Sequence, residues 1–223
     1  MGALPDMIVL HYTAMQSAEA ALERLCDAQA EVSAHYLISE RGNIWQMVEE
    51  DQRAWHAGAG QWGAVVDVNS RSIGIELANT GAHPFPEPQM RALEGLMRAI
   101  MARWSIPPER VIAHSDMAPA RKFDPGARFD WRRLAQAGLS VWPGETEAAT
   151  DTETETETGA GGFLAAAGRF GYPASGANDL ETTLAAFRLR FRPFASGPLE
   201  AADCGAIRDL ATRFPVDRMP PSA

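Results

Sequence analysis

Lysine is almost missing from this 223-residue chain: Lys122 stands alone, and every other long basic side chain is arginine. The two cations are not interchangeable, because ammonium is a compact point charge and guanidinium a planar fork. A lone lysine eight residues after His114 and two before Asp124 therefore marks a place of chemistry. Basic charge is scarce overall. Twenty Arg and Lys against 29 Asp and Glu leave a net −9, which argues against a nucleic-acid partner, since that needs a basic face. Cysteine is scarce too. Cys26 and Cys204 form no CxxC and no disulfide framework, so both are expected as packed thiols. No run of about 18 apolar residues exists, which excludes a transmembrane helix. No basic-then-apolar leader precedes the first apolar run at Met7, so the cytoplasm is expected; a start upstream of Met1 would shift the expectation to the periplasm.

What is present reads as globular: 46% hydrophobic and 22% charged residues can bury a sizeable core. The acidic excess is concentrated. Residues 144–160, GETEAATDTETETETGA, carry six acids and no base. Alternating Thr and Glu bury nothing and repel one another, so this is expected as an extended linker. It divides the chain into a larger unit, 1–143, and a small unit, 161–223.

In the first unit, the continuous apolar run 7–12 predicts a buried strand. A helix is expected over 17–27, strands over 33–39 and 43–48 about a turn at Arg41-Gly42, and a strand over 72–78. The apolar stripe Met90, Leu93, Met97, Ile100 and Trp104 predicts a helix over 87–104, stopped by Pro107 and Pro108. A last strand over 110–114 and a helix capped by Asp130 follow. This mixture predicts an α/β fold, a central mixed β-sheet flanked by helices. The second unit predicts three short helices, over 163–169, from a cap at Asn178 to 192, and from Asp203. At that size its core is marginal alone.

His11 and His114 fall at the ends of the first and last strands, where open α/β sheets build their sites. Asp124 follows in a Pro-Gly loop. Two imidazoles and a carboxylate with an open position suit a catalytic zinc ion, Zn2+. Glu76, between Ile75 and Leu77, is a carboxylate in an apolar strand; either a paired arginine or a proton-transfer role would justify it. Lys122 is expected to face the same side as Asp124 and to stabilise an oxyanion.

The segments VLHYT, VSAHYLI, RAWHAG, IGIEL and AHSDMAPARKFDPG, in that order, resemble the type-2 N-acetylmuramoyl-L-alanine amidases. These share a fold with the peptidoglycan recognition proteins. The resemblance covers about residues 7–143. It implies zinc on His11, His114 and Asp124, catalysis by Glu76 and Lys122, and hydrolysis of the amide joining N-acetylmuramic acid to L-alanine in peptidoglycan or its fragments. Phage members carry Cys and Tyr where this chain has Asp124 and Glu76, so it is similar to the bacterial branch. The family also points to Tyr36, His35 and His56. His35 and Tyr36 face opposite sides of a strand, so at most one lines a pocket; Tyr36 is retained as a substrate contact and His35 as structural. His56 and Trp55 are placed at the groove, Asn79 on the peptide stem and His83 at the surface. The stretch FGYPASGANDLETTLAAFRLRFRP resembles small peptidoglycan-binding helical modules, with Tyr172 the one candidate for stacking on a sugar.

A monomer is expected. Two other readings remain open here. One is a non-catalytic peptidoglycan-recognition protein, disfavoured by the retained Asp124, Glu76 and Lys122. The other is an Fe(II) oxygenase, since His114-Ser115-Asp116 satisfies a bare H-x-D pattern.

Overall fold

A computed structural model of the chain describes residues 4–144, 159–173 and 179–217. Most of the expected acidic linker, and Asn178, lie outside the described residues. Five strands form one sheet: β1 (Met7–Tyr12), β2 (Tyr36–Ile38), β3 (Ile44–Gln46), β4 (Ser72–Leu77) and β5 (Val111–Ala113). Their spatial order is β3-β2-β4-β1-β5. The pairs β2–β4, β4–β1 and β1–β5 are parallel, and β3 runs antiparallel to β2. The sheet is mixed, as expected.

Alternation along the strands decides what each face sees. Ile8, Leu10, Ile73, Ile75, Val111 and Ala113 point to one face. That face is covered by helix α2 (Glu87–Trp104), whose buried Met90, Leu93, Met97 and Ile100 repeat at helical spacing. Met7, Val9 and Ile112 point to the other face. By the same parity His11, Gly74 and Glu76 belong to this second face, and β1 and β4 set His11 directly beside Glu76.

Shorter helices complete the catalytic unit. Ser17 caps α1 (Ala18–Cys26), its Oγ accepting from the Ala20 amide at 3.1 Å. Asp130 caps α4 (Trp131–Gln136) by accepting from the Arg133 amide at 3.0 Å. The strand expected to run through His114 stops at Ala113. His114 instead opens a single helical turn, α3 (His114–Met117), because Asp116 accepts from the Ala113 amide at 2.9 Å.

Three C-terminal helices follow: α5 (Ala160–Phe170), α6 (Asp179–Phe191) and α7 (Ala201–Arg213). Asp203 does not start α7 as expected; it lies inside the helix, buried, paired with Arg188 and Arg192. These helices share one apolar cluster with the second face of the sheet. Phe163, Phe170 and Phe187 are packed with Met7, Ile112 and the fully buried Trp62. Neither cysteine is in a disulfide; Cys204 is buried, but Cys26 is exposed rather than packed.

Candidate metal centre

Three side chains from distant points of the sequence meet at the C-terminal ends of the parallel strands. His11 Nδ1 lies 2.9 Å from His114 Nδ1 and 2.9 Å from Asp124 Oδ2. His114 Nδ1 lies 3.0 Å from the same Asp124 oxygen. Among the described residues, this is the one cluster of three His, Cys, Asp or Glu that offers ligand atoms so close together.

The outer contacts of the two rings show what the centre is built for. His114 Nε2 faces the Ala57 carbonyl at 2.8 Å. A carbonyl only accepts, so Nε2 carries the hydrogen, and Nδ1 is the nitrogen left to serve as a metal ligand. The second chain of contacts is longer. Ser72 Oγ donates its hydrogen to the Val68 carbonyl at 2.6 Å, so it accepts from His56 Nε2 at 3.2 Å. Burial, and then the neighbouring His11, hold the His56 pKa well below its ordinary value, so that ring is neutral and its Nδ1 is bare. His11 Nε2 therefore donates to His56 Nδ1 at 3.0 Å, leaving His11 Nδ1 bare as well. Burial, reinforced by the nearby His114, pushes the His11 pKa down to about 4. The Nδ1 atoms of both imidazoles and one carboxylate oxygen thus converge on a single point. That arrangement repels itself unless a cation lies at its centre, and the donor set fits a divalent ion of the zinc type.

Glu76 and Lys122 line the same cavity of about 350 Å³, together with Tyr12, Thr13, Trp55 and Arg121. Glu76 Oε2 is buried and has no hydrogen-bond partner among the described residues, so the arginine pairing that would justify it structurally is not formed. Burial, with the Asp124 charge adding to it, raises the Glu76 pKa to about 8. Lys122 is positioned by its own amide, which donates to the Ala118 carbonyl at 3.0 Å. Exposed Trp55 and Phe123 flank the cavity mouth. Arg121 and the seats of the ligand rings were not anticipated from sequence. Arg121 donates to the Ala57 carbonyl at 2.9 Å, beside His114, and Asn69 Oδ1 accepts from the His56 and Ala57 amides. Gly74 is also required: a Cβ there would lie 2.3 Å from the His56 ring.

Other residues singled out from sequence are placed elsewhere. Tyr36 lies on the α2 face of the sheet, buried, its hydroxyl donating to Glu50 at 2.7 Å, so it does not line the cavity. His35 is fully buried and bridges the Gly74 amide and the Gln52 carbonyl, each at 3.0 Å. Asn79 is buried and ties its own loop, accepting from the Gly81 amide at 2.7 Å and contacting the exposed His83. Asp116 faces away from the cluster, its oxygens bonded to Ala113, Tyr172 and Arg190, so no H-x-D ligand pair forms. Tyr172 is buried with its hydroxyl on Asp116 and presents no face to a sugar. A larger cleft of about 1060 Å³ between α4 and α6 contains no histidine.

The profile of the N-acetylmuramoyl-L-alanine amidase family matches residues 1–127. The N-acetylmuramoyl-L-alanine amidase AmiD of Escherichia coli K12 is 36% identical over 209 residues, covering 84% of this chain and 75% of that protein. The chain belongs to the N-acetylmuramoyl-L-alanine amidase family. Within it, the 1,6-anhydro-N-acetylmuramyl-L-alanine amidase AmpD of Haemophilus influenzae is 42% identical over 106 residues, 47% of this chain and 58% of that one. The solved structure of the E. coli amidase AmiD, in complex with anhydro-N-acetylmuramic acid-L-Ala-D-gamma-Glu-L-Lys, superposes with a TM-score of 0.84 at 34% identity. That match covers 96% of this chain and 92% of the other, so it includes the C-terminal helices. The crystal structure of AmpDh3 from Pseudomonas aeruginosa superposes with a TM-score of 0.83 at 30% identity, covering 96% of this chain and 94% of the other.

Proposed function

We propose that this amidase is a zinc enzyme that hydrolyses the amide between the lactyl group of N-acetylmuramic acid and L-alanine in peptidoglycan or its fragments. The observation that carries the reading is the convergence of two imidazole nitrogens and one carboxylate oxygen beside a buried Glu76 oxygen that has no hydrogen-bond partner among the described residues. His11, His114 and Asp124 would hold the ion. When bound, zinc supplies Lewis acidity, bringing the ionisation of water to near neutral pH and polarising a carbonyl.

The chain's own groups do the rest. Glu76 lies next to His11 across the β1–β4 pair, within the same cavity. Its free oxygen takes the proton from the attacking water and returns it to the departing amine of L-alanine. Burial makes it a stronger base than a solvated carboxylate, which suits both transfers. Lys122 places a cation where the amide oxygen gathers charge. Trp55 and Phe123 at the mouth offer apolar surface to the sugar or the peptide.

The test is mass spectrometry of the products from a defined muropeptide. We expect a sugar bearing a free lactyl carboxylate and a peptide beginning at L-alanine. The reaction should stop on chelation and return with zinc. Cleavage within the peptide or the glycan would overturn the proposal.

A further inference from the structure

Asp116 is a fully buried carboxylate two residues beyond the ligand His114. Its Oδ2 accepts from the Ala113 amide at 2.9 Å and from Arg190 Nη1 at 2.5 Å; its Oδ1 accepts from the Tyr172 hydroxyl at 2.6 Å. Two of these three donors come from the C-terminal helical unit. Arg190 is itself buried. Its Nη2 donates to the Val111 carbonyl at 2.9 Å and to Ser140 Oγ at 3.1 Å, and its guanidinium lies 4.3 Å from the centre of the Trp131 ring. A carboxylate stripped of water is tolerated only when paired and fully hydrogen-bonded. Both side chains that hold Asp116 therefore come from outside the catalytic unit, and among the described residues the Ala113 amide is its one partner within it.

The turn that Asp116 caps carries the metal centre. His114 is its first residue. Its second, Ser115, donates its amide to the Asp124 carbonyl at 3.1 Å. Two of the three candidate ligands are thus hung on one turn of helix, and that turn is clamped from behind. We propose that Arg190 and Tyr172 are positioning residues for the metal centre: the C-terminal unit, by holding Asp116, sets the seat of His114 and Asp124. The proposal rests on the zinc reading above and goes beyond it, because it gives the helical unit a task inside the catalytic site.

The same helix contains its own control. Arg188 is also buried and ion-paired, but to Asp203 within the helical unit, at 2.5 Å, and it donates to the Gly197 and Pro198 carbonyls. Among the described residues its hydrogen bonds all stay within the helical unit.

The test measures zinc affinity of the full chain by competition with a chromophoric chelator. Arg190→Ala should weaken zinc binding by about 10- to 100-fold, the range found when groups that orient metal ligands are lost. Arg190→Lys should recover part of this, since an ammonium can pair with Asp116 but cannot also serve Val111 and Ser140 with a guanidinium's geometry. Tyr172→Phe removes one hydroxyl and no bulk, and should weaken binding by about tenfold. Arg188→Ala should bind as the wild type does. Wild-type affinity in Arg190→Ala, or an equal loss in Arg188→Ala, overturns the proposal. If Arg190→Ala does not fold, Tyr172→Phe decides, and unchanged affinity there overturns it. Absence of zinc binding by the wild type would instead overturn the zinc reading itself.

Discussion

At the residue scale, Lys122 has a role in the site that a single substitution can isolate. Lys122→Ala should lower kcat by about 10²–10³, or about 3–4 kcal/mol, with the fold and metal content unchanged, if it faces the oxyanion. Steady-state kinetics on a soluble muropeptide would show this, and unaltered turnover would remove Lys122 from the mechanism. Glu50 provides a stability test away from the site. Burial would raise its pKa, but hydrogen bonds from Arg103, Tyr36 and Trp104 overcome this and hold it at about 2. The unfolded chain then takes up the Glu50 proton first as pH falls. The stabilisation is complete above about pH 5 and lost by about pH 2; it amounts to about 2–3 kcal/mol at most, reduced by screening because Arg103 is half exposed. Urea midpoints measured against pH should fall less steeply in Glu50→Gln than in the wild type. Equal slopes would contradict the coupling. The lone Lys122, the strand-end histidines and the stranded carboxylate of Glu76 were all legible in the sequence, because each breaks a local rule of composition or burial. Tyr36 shows the limit. Parity places Tyr36 and His35 on opposite faces, but only the pairing with β4 shows which face holds the site.

At the element scale, the sheet is the positioning device. β1 and β4 place His11 beside Glu76 in register, and a slip of one residue would turn either side chain to the α2 face. Apolar runs and helical stripes made β1, β4 and α2 readable. The single turn α3 was not, because its start depends on a side-chain cap from Asp116 and a tertiary bond from Ser115 to the Asp124 loop. Gly74 tests the second layer of the site. Adding a methyl group there would displace the His56 ring and free His11 Nε2 from its partner. We expect Gly74→Ala to weaken zinc binding by about 10- to 100-fold while the circular dichroism spectrum is retained. Wild-type affinity would show that His56 does not orient His11.

At the scale of the whole molecule, sequence suggests two separable units joined by an acidic stretch, yet they share one core. Trp62 of the catalytic unit contacts Phe170 and Tyr172 of the helical unit edge-on, with ring centres 5.4 Å apart in each case. The join was not legible because it is made by apolar side chains, Met7, Trp62 and Ile112 among them, that any buried strand or loop contains. The two units should therefore unfold together. Calorimetry should show one transition for the full chain, and a fragment of residues 1–143 should lose stability and zinc affinity together. Two well-separated transitions would contradict a shared core.

The claim on which the rest depends is that one divalent ion lies against the Nδ1 atoms of both histidines and one oxygen of Asp124. Anomalous scattering at the zinc edge from a crystal of the zinc-loaded protein tests it directly. We expect a single peak, about 2.0–2.2 Å from His11 Nδ1, His114 Nδ1 and Asp124 Oδ2. A peak bound through either Nε2 atom, or one lying away from Asp124, would contradict it.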